Sequence, residues 1–194
     1  AARCLDCGVP GCRNACPLAN RIPDWLAAAA AGNWREAVEL ACNVILPTHP
    51  TDVALSAAAS LAAAVSQALC SGVTINSIIE VALQGARLGE EIGAQTARKT
   101  SQRYPLPNLE WALEIATKSQ DVFATAEKIR RTIGSHFHVA ETLATSIGIF
   151  YSAKGDYKSA IIAAVNNGGD SDTIASIVGA LCGAFSGITA IPRE

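Results

Sequence analysis

The sequence contains no methionine and little aromatic surface: Phe, Trp and Tyr together make up 5 % of the residues, against 50 % for the hydrophobic class as a whole. A core of that composition has to be built from Ala, Val, Ile and Leu, side chains that favour closely packed helices. Charge is also scarce, at 16 % of residues with a formal net charge of -2. The basic footprint of a nucleic-acid binder and the polybasic patch of a membrane-surface protein are both missing, so neither partner is expected. Alternation of apolar and polar residues, the mark of a half-buried strand, is absent as well, and the expected fold class is all-α. The chain opens on Ala1-Ala2, as a processed, trimmed or fragmentary product would. Its first residues carry cysteines and a proline where the apolar core of a secretory signal would stand. A cytoplasmic protein with one ordinary domain and a small appendage is the expectation.

Cysteine is present but uneven. Of seven cysteines, Cys4, Cys7, Cys12 and Cys16 fall in the first sixteen residues, in a C-x2-C-x4-C-x3-C-P pattern, while Cys42, Cys70 and Cys182 are scattered. Close cysteines often pair as disulfides. An odd total with no sign of secretion points instead to a metal or cluster, and a proline directly after the last cysteine is a feature of bacterial cluster loops.

Beyond this segment the signals are helical. Pro23 suits the first turn of a helix running to Gly32, and Asn33 caps a second from Trp34 to Cys42. Thr51 or Asp52 opens an alanine-rich helix to about Cys70, and Thr74 or Asn76 opens the next, with Gly85 and Gly89 on one face. Pro105 and Pro107 interrupt the pattern, after which Asn108, Asp121, His138 and Asp156 stand at the heads of further helices. The uncharged stretch from Ile174 to Ile191, with Gly179, Gly183 and Gly187 four residues apart, reads as a buried helix with a close-packing glycine face rather than a membrane span.

That last helix begins in the most informative stretch of the chain, Asn166 to Gly187. Its GGDSDT turn places Asp170, Asp172 and Thr173 within four positions, where backbone N–H groups are still unpaired. Two carboxylates and a hydroxyl are hard oxygen donors suited to Mg²⁺, Mn²⁺ or Ca²⁺. Capping by Asp172 alone is the simpler alternative. His49, in THPTD, precedes another helix, whereas His136 and His138 are spaced i, i+2 and read as loop and helix-start residues.

Two resemblances organise these motifs. RCLDCGVPGCRNACPLANRIPDW followed by GNWREAVE, about residues 3–41, resembles the N-terminal iron-sulfur segment of the glutamate synthase small subunit and of dihydropyrimidine dehydrogenase. The resemblance implies cysteines shared between two [4Fe-4S] clusters that are completed by further cysteines downstream. Here ACNVILPTHP follows Leu40, and Cys42 is the one nearby candidate. A single cluster on Cys4, Cys7, Cys12 and either Cys16 or Cys42, a zinc ion, and an empty loop all stay open.

From about residue 43 to 192 the chain resembles the C-terminal portion of the ADP-ribosylglycohydrolases. The pieces that carry this are THPTDVALSAAASLAAAV, HVAETLATSIGIF and GDYKSAIIAAVNNGGDSDTIASIVGALCGAFSGITAIP. The resemblance implies an all-α, multi-helix orthogonal bundle, incomplete here, divided into a cysteine-rich segment (1–41) and a partial helical domain (42–194). It also implies a pair of Mg²⁺ or Mn²⁺ ions held in part by Asp170, Asp172 and Thr173, with His49 in contact with ADP-ribose. The ions would orient the ribose hydroxyls and an attacking water, along an oxocarbenium-like path. In the family a Thr-Asp-Asp run and a catalytic acid lie in the N-terminal half, where this chain carries its cysteines, and no Thr-Asp-Asp occurs here. The implied activity is hydrolysis of an ADP-ribose glycosidic bond on a protein or small molecule, weakened unless another chain completes the metal site. An iron-sulfur electron-transfer or assembly module and a non-catalytic relative are the alternatives.

Overall fold

The computed structural model describes residues 14–15, 22–100 and 104–192. Among them are nine α-helices, a short 3-10 turn and no β-strand, so the all-α expectation holds. The helices are α1 (Ile22–Ala30), α2 (Trp34–Ile45), α3 (Asp52–Ala68), α4 (Ile75–Thr96), α5 (Pro105–Thr117), α6 (Val122–Thr132), α7 (Val139–Ser152), α8 (Tyr157–Asn166) and α9 (Ser171–Ser186). They form two compact units, residues 1–101 and 102–194.

The first unit is built on the α3–α4 pair, and its seam shows how a core is made without aromatics. Gly85, Gly89 and Gly93 of α4 lie on one face. A Cβ added at Gly89 would stand 2.5 Å from Ala59 Cβ and 2.7 Å from Ser56 Cα, so the two backbones touch where glycine meets alanine or serine. Buried serines tie the seam: Ser56 Oγ donates to Ala86 O (3.1 Å) and Ser60 Oγ to Ala82 O (2.9 Å). Each such bond contributes about 1 kcal/mol net, and removing its partner would leave a buried polar group unmet. Helix α2 closes one side with Val38 and Cys42 against Leu55, Ala59 and Ala63. The boundary between the two sequence resemblances, near residues 41–43, falls inside α2.

Asp52 fixes the entrance to α3. Its carboxylate is 2 % exposed and accepts from Val53 N–H, Thr100 N–H and Thr100 Oγ, while its own N–H donates to Arg98 O. The 98–100 segment is thereby held alongside Pro50–Asp52. Thr51 is the cap, accepting from Ala54 N–H at 3.3 Å.

In the second unit α7 is central and buried from Ala140 to Phe150 except at Glu141, and Phe150 packs edge-to-face on Phe185 with ring centroids 6.1 Å apart. Asp121 and Asp156 cap α6 and α8 as the sequence predicts. Helix α5 differs from the expectation. It starts at Pro105 rather than after Asn108, because proline at the first helical position gives up only an N–H that would have no helical partner. Asn108 consequently lies inside the helix and is buried. The glycine face of α9 also differs: Gly179 approaches Ile161, but nothing lies within 4 Å of a Cβ built at Gly183, and the buried side chains of α9 are Ile174, Val178, Leu181 and Cys182. No helix among the described residues is long and apolar enough to cross a membrane.

Candidate metal-binding turn

Helix α8 ends at Asn166 with Asn167 as its C-cap, and two consecutive left-handed glycines, Gly168 (φ +77°) and Gly169 (φ +70°), reverse the chain into α9. Side chains other than glycine adopt this conformation at a cost of roughly 1–2 kcal/mol each, which explains the GG of the motif. The turn is clamped from behind by Ser135, itself 1 % exposed: its carbonyl accepts the Asp170 N–H at 2.7 Å and its hydroxyl donates to Gly168 O at 3.1 Å. A Cβ at Gly169 would overlap the Ser135 carbonyl, so glycine is required there for close approach as well as for φ.

Ser135 is in turn held by the start of α7. Thr145 Oγ donates to Gly134 O (3.0 Å), Thr142 Oγ to His136 O (2.9 Å), and Glu141 accepts the His136 N–H (3.0 Å). His138 caps α7 by accepting from Ala140 N–H, and the His136 ring lies 3.4 Å from Glu141. Both histidines therefore serve the loop and the helix start, as the sequence reading has them.

Asp170 occupies the N-cap position of α9 yet makes no cap bond to the backbone. Its Oδ1 instead accepts from Thr173 Oγ at 3.0 Å. Asp172, at the second helical position, is exposed, and no hydrogen bond or ion pair engages it among the described residues. The simple capping role expected as the alternative for Asp172 is thus not what the turn shows. Two carboxylates and a hydroxyl are gathered at a helix start with oxygen atoms to spare, a donor set that fits a divalent cation. Among the described residues no cluster of three or more His, Cys, Asp or Glu forms.

His49 belongs to the other unit. It is exposed, its Nδ1 lies 2.9 Å from Thr48 Oγ, and its N–H donates to Ile45 O. Cys4, Cys7, Cys12 and Cys16 lie outside the described residues. Cys42 lies in the apolar core against Leu55, and burial pushes its thiol up to about 11.

A family model described as ADP-ribosylglycohydrolase matches residues 7–194. The chain belongs to the ADP-ribosylglycohydrolase family. Among curated proteins it is 30 % identical over 146 residues to "Uncharacterized protein YegU" of Escherichia coli K12, an alignment covering 75 % of this chain and 42 % of YegU. At its N-terminus it is 54 % identical over 39 residues to the glutamate synthase [NADPH] small chain of Mycobacterium tuberculosis (strain CDC 1551 / Oshkosh), covering 20 % of this chain and 8 % of that protein. The corresponding small chain of Azospirillum brasilense is 50 % identical over 40 residues, or 21 % of this chain and 8 % of the relative. The chain thus spans less than half the length of these relatives. No solved structure matches it significantly.

Two residues that organise this ADP-ribosylglycohydrolase chain escape a reading of its sequence. Ser135 sits next to Gly134 in an unremarkable loop, and nothing local indicates that its carbonyl reaches residue 170. Asp52 stands in the histidine motif and reads as a helix opener, whereas its carboxylate binds a segment 48 residues further on.

Proposed function

We propose that this chain presents half of a two-metal centre for hydrolysis of an ADP-ribose glycosidic bond. The observation that supports it is the Ser135-clamped turn, which holds Asp170 and Thr173 in contact and leaves Asp172 open, in a chain of this family. Asp170, Asp172 and Thr173 are the residues that would hold Mg²⁺ or Mn²⁺. When bound, such ions supply Lewis acidity and a template for the ribose hydroxyls and water. Ser135 and Gly169 keep the Asp170 backbone in register, and His49 is the residue that would contact ADP-ribose. Water adds at the anomeric carbon as the bond to the acceptor nitrogen or oxygen breaks, and the released acceptor takes up a proton.

Full coordination of each ion takes about six oxygens. The remaining ligands come from water, the substrate and another polypeptide, and the substrate is an ADP-ribosylated protein or small molecule. Release of ADP-ribose from a mono-ADP-ribosylated protein, assayed with and without Mg²⁺ or Mn²⁺, tests the reading. Slow metal-dependent release that disappears in Asp170→Ala and Asp172→Ala is expected. Equal background rates in wild type and both variants would show that the chain is a non-catalytic relative.

The short N-terminal match supports a second, separate role. Four thiolates at C-x2-C-x4-C-x3-C spacing form a soft donor set suited to iron-sulfur ligation, and with Cys42 buried in the core the set is Cys4, Cys7, Cys12 and Cys16. Protein purified without air should be brown and contain iron and sulfide if a [4Fe-4S] cluster is bound. Colourless, iron-free protein would remove this role and leave the hydrolase reading untouched.

A further inference from the structure

A cavity of about 440 Å³ opens between α6 and the end of α8, on residues the metal-binding turn does not use as ligands. Its wall includes Phe123, Glu127 and Arg130 from α6, and Ala163, Asn167 and Gly168 from the other side. The decisive residue is Asn167. It is 6 % exposed, yet both its amide oxygen and its amide nitrogen are buried without a hydrogen-bond partner. Its neighbour Asn166 is satisfied by donating to Ile162 O at 2.8 Å.

Leaving a buried amide unmet at both ends is unfavourable, because its lost hydration is not replaced. Such a residue in a cavity wall therefore marks a place where something else completes the bonds. Arg130 adds the second element. Glu127 is engaged by Arg131 at 2.5 Å, whereas no ion pair engages Arg130 among the described residues. The Arg130 stem approaches the turn, its Cδ 3.9 Å from the position of a Gly168 Cβ. Phe123, half exposed, supplies an aromatic wall.

We propose that this cavity binds a small anion whose planar heterocycle carries an amide-like edge. The edge presents a donor and an acceptor side by side to the Asn167 amide, in the way a primary amide reads a heterocycle. The carboxylate or phosphate goes to the Arg130 guanidinium, whose fork matches either group. Phe123 packs against the ring. Nucleoside monophosphates and free heteroaromatic carboxylates share this chemistry. The assignment is independent of the metal-binding reading, since it uses neither Asp170, Asp172 nor Thr173.

Titration of the full chain with orotate, UMP, uracil and inorganic phosphate, followed by amide NMR and calorimetry, tests it. Saturable binding of orotate or UMP is expected, with shifts at the Asn167 side chain and Gly168. Stronger binding of orotate identifies a free carboxylate as the ligand class, and stronger binding of UMP a nucleotide. Uracil and phosphate, each lacking one of the two recognised groups, should bind at least about tenfold more weakly. Asn167→Ala and Arg130→Ala should each weaken the preferred probe by a similar factor. Asn167 has ordinary helical φ and no side-chain bonds, so alanine fits there. Should that variant fail to fold, Arg130→Ala alone decides. No saturation by either orotate or UMP, or binding unchanged in Arg130→Ala, would overturn the proposal.

Discussion

The carbonyl of Ser135 and the N–H of Asp170 meet at 2.7 Å, across 35 residues of sequence. This bond joins the loop between α6 and α7 to the first residue of the acidic turn. Because the Ser135 hydroxyl also bonds Gly168 O, the turn is held at two points. The position of the Asp170 carboxylate therefore depends on a residue that has no metal-binding chemistry of its own.

Substituting the two turn glycines should separate backbone strain from this close approach. Gly168→Ala places a Cβ in nearly open space and should cost about 1 kcal/mol for the left-handed conformation alone. Gly169→Ala adds overlap with the Ser135 carbonyl and should cost about 3 kcal/mol or more. Urea denaturation of the two variants provides the comparison, and equal losses would contradict the clamp.

A similar contrast applies to the helix glycines. Gly89→Ala forces a methyl between Ala59 and Ser56 and should destabilise by roughly 1–3 kcal/mol. Gly183→Ala meets nothing within 4 Å, so the better helix propensity of alanine should leave stability unchanged or raise it by up to about 1 kcal/mol. Thermal melts of both variants would show whether close packing belongs to α4 rather than α9.

Asp156 gives a prediction in pH. Its Oδ1 accepts from Ser159 N–H at 2.9 Å and Ser159 Oγ at 2.7 Å, and these bonds hold its carboxyl below the usual range. A lowered carboxyl contributes stability above its unfolded value of about 4 and loses it as pH falls through the folded one. Asp156→Ala should therefore cost about 1 kcal/mol at neutral pH, with the gap to wild type closing below about pH 4. Asp156→Asn should keep most of the cap without that pH dependence.

The buried thiols should behave as core groups. Burial, helped by nearby Glu39 for Cys42 and by Asp156 for Cys182, pushes them up to about 11 and about 12. Both should resist alkylation in the native protein at pH 8 and react once it is unfolded. Stability should decline as pH rises above about 8.5, where the unfolded thiols begin to ionise. Rapid native labelling of Cys182 would contradict its placement.

What could be read from the sequence follows the range of the interactions involved. Caps are bonds between residues two or three apart: Asn33, Asp121 and Asp156 appear where the sequence places them, and Thr51 and Thr74 are the caps among the pairs Thr51 or Asp52 and Thr74 or Asn76 that it leaves open. The start of α5 was obscured because Asn108 looks like a cap while Pro105 is equally able to begin a helix. The glycine repeat of α9 resembles that of α4, but only the partner helix decides whether a glycine is needed. The acidic turn announces itself by composition, whereas Ser135, Asp52 and the unmet Asn167 amide depend on contacts that no local pattern encodes.

Titration of the purified chain with Mn²⁺, monitored by electron paramagnetic resonance and calorimetry, tests the proposed metal site most directly, because it requires neither substrate nor a completing partner. A saturable site that is lost in Asp170→Ala and Asp172→Ala, and weakened in Gly169→Ala while the fold persists, is the predicted result. Mn²⁺ binding that is absent, or that is the same in wild type and in the two aspartate variants, would contradict it.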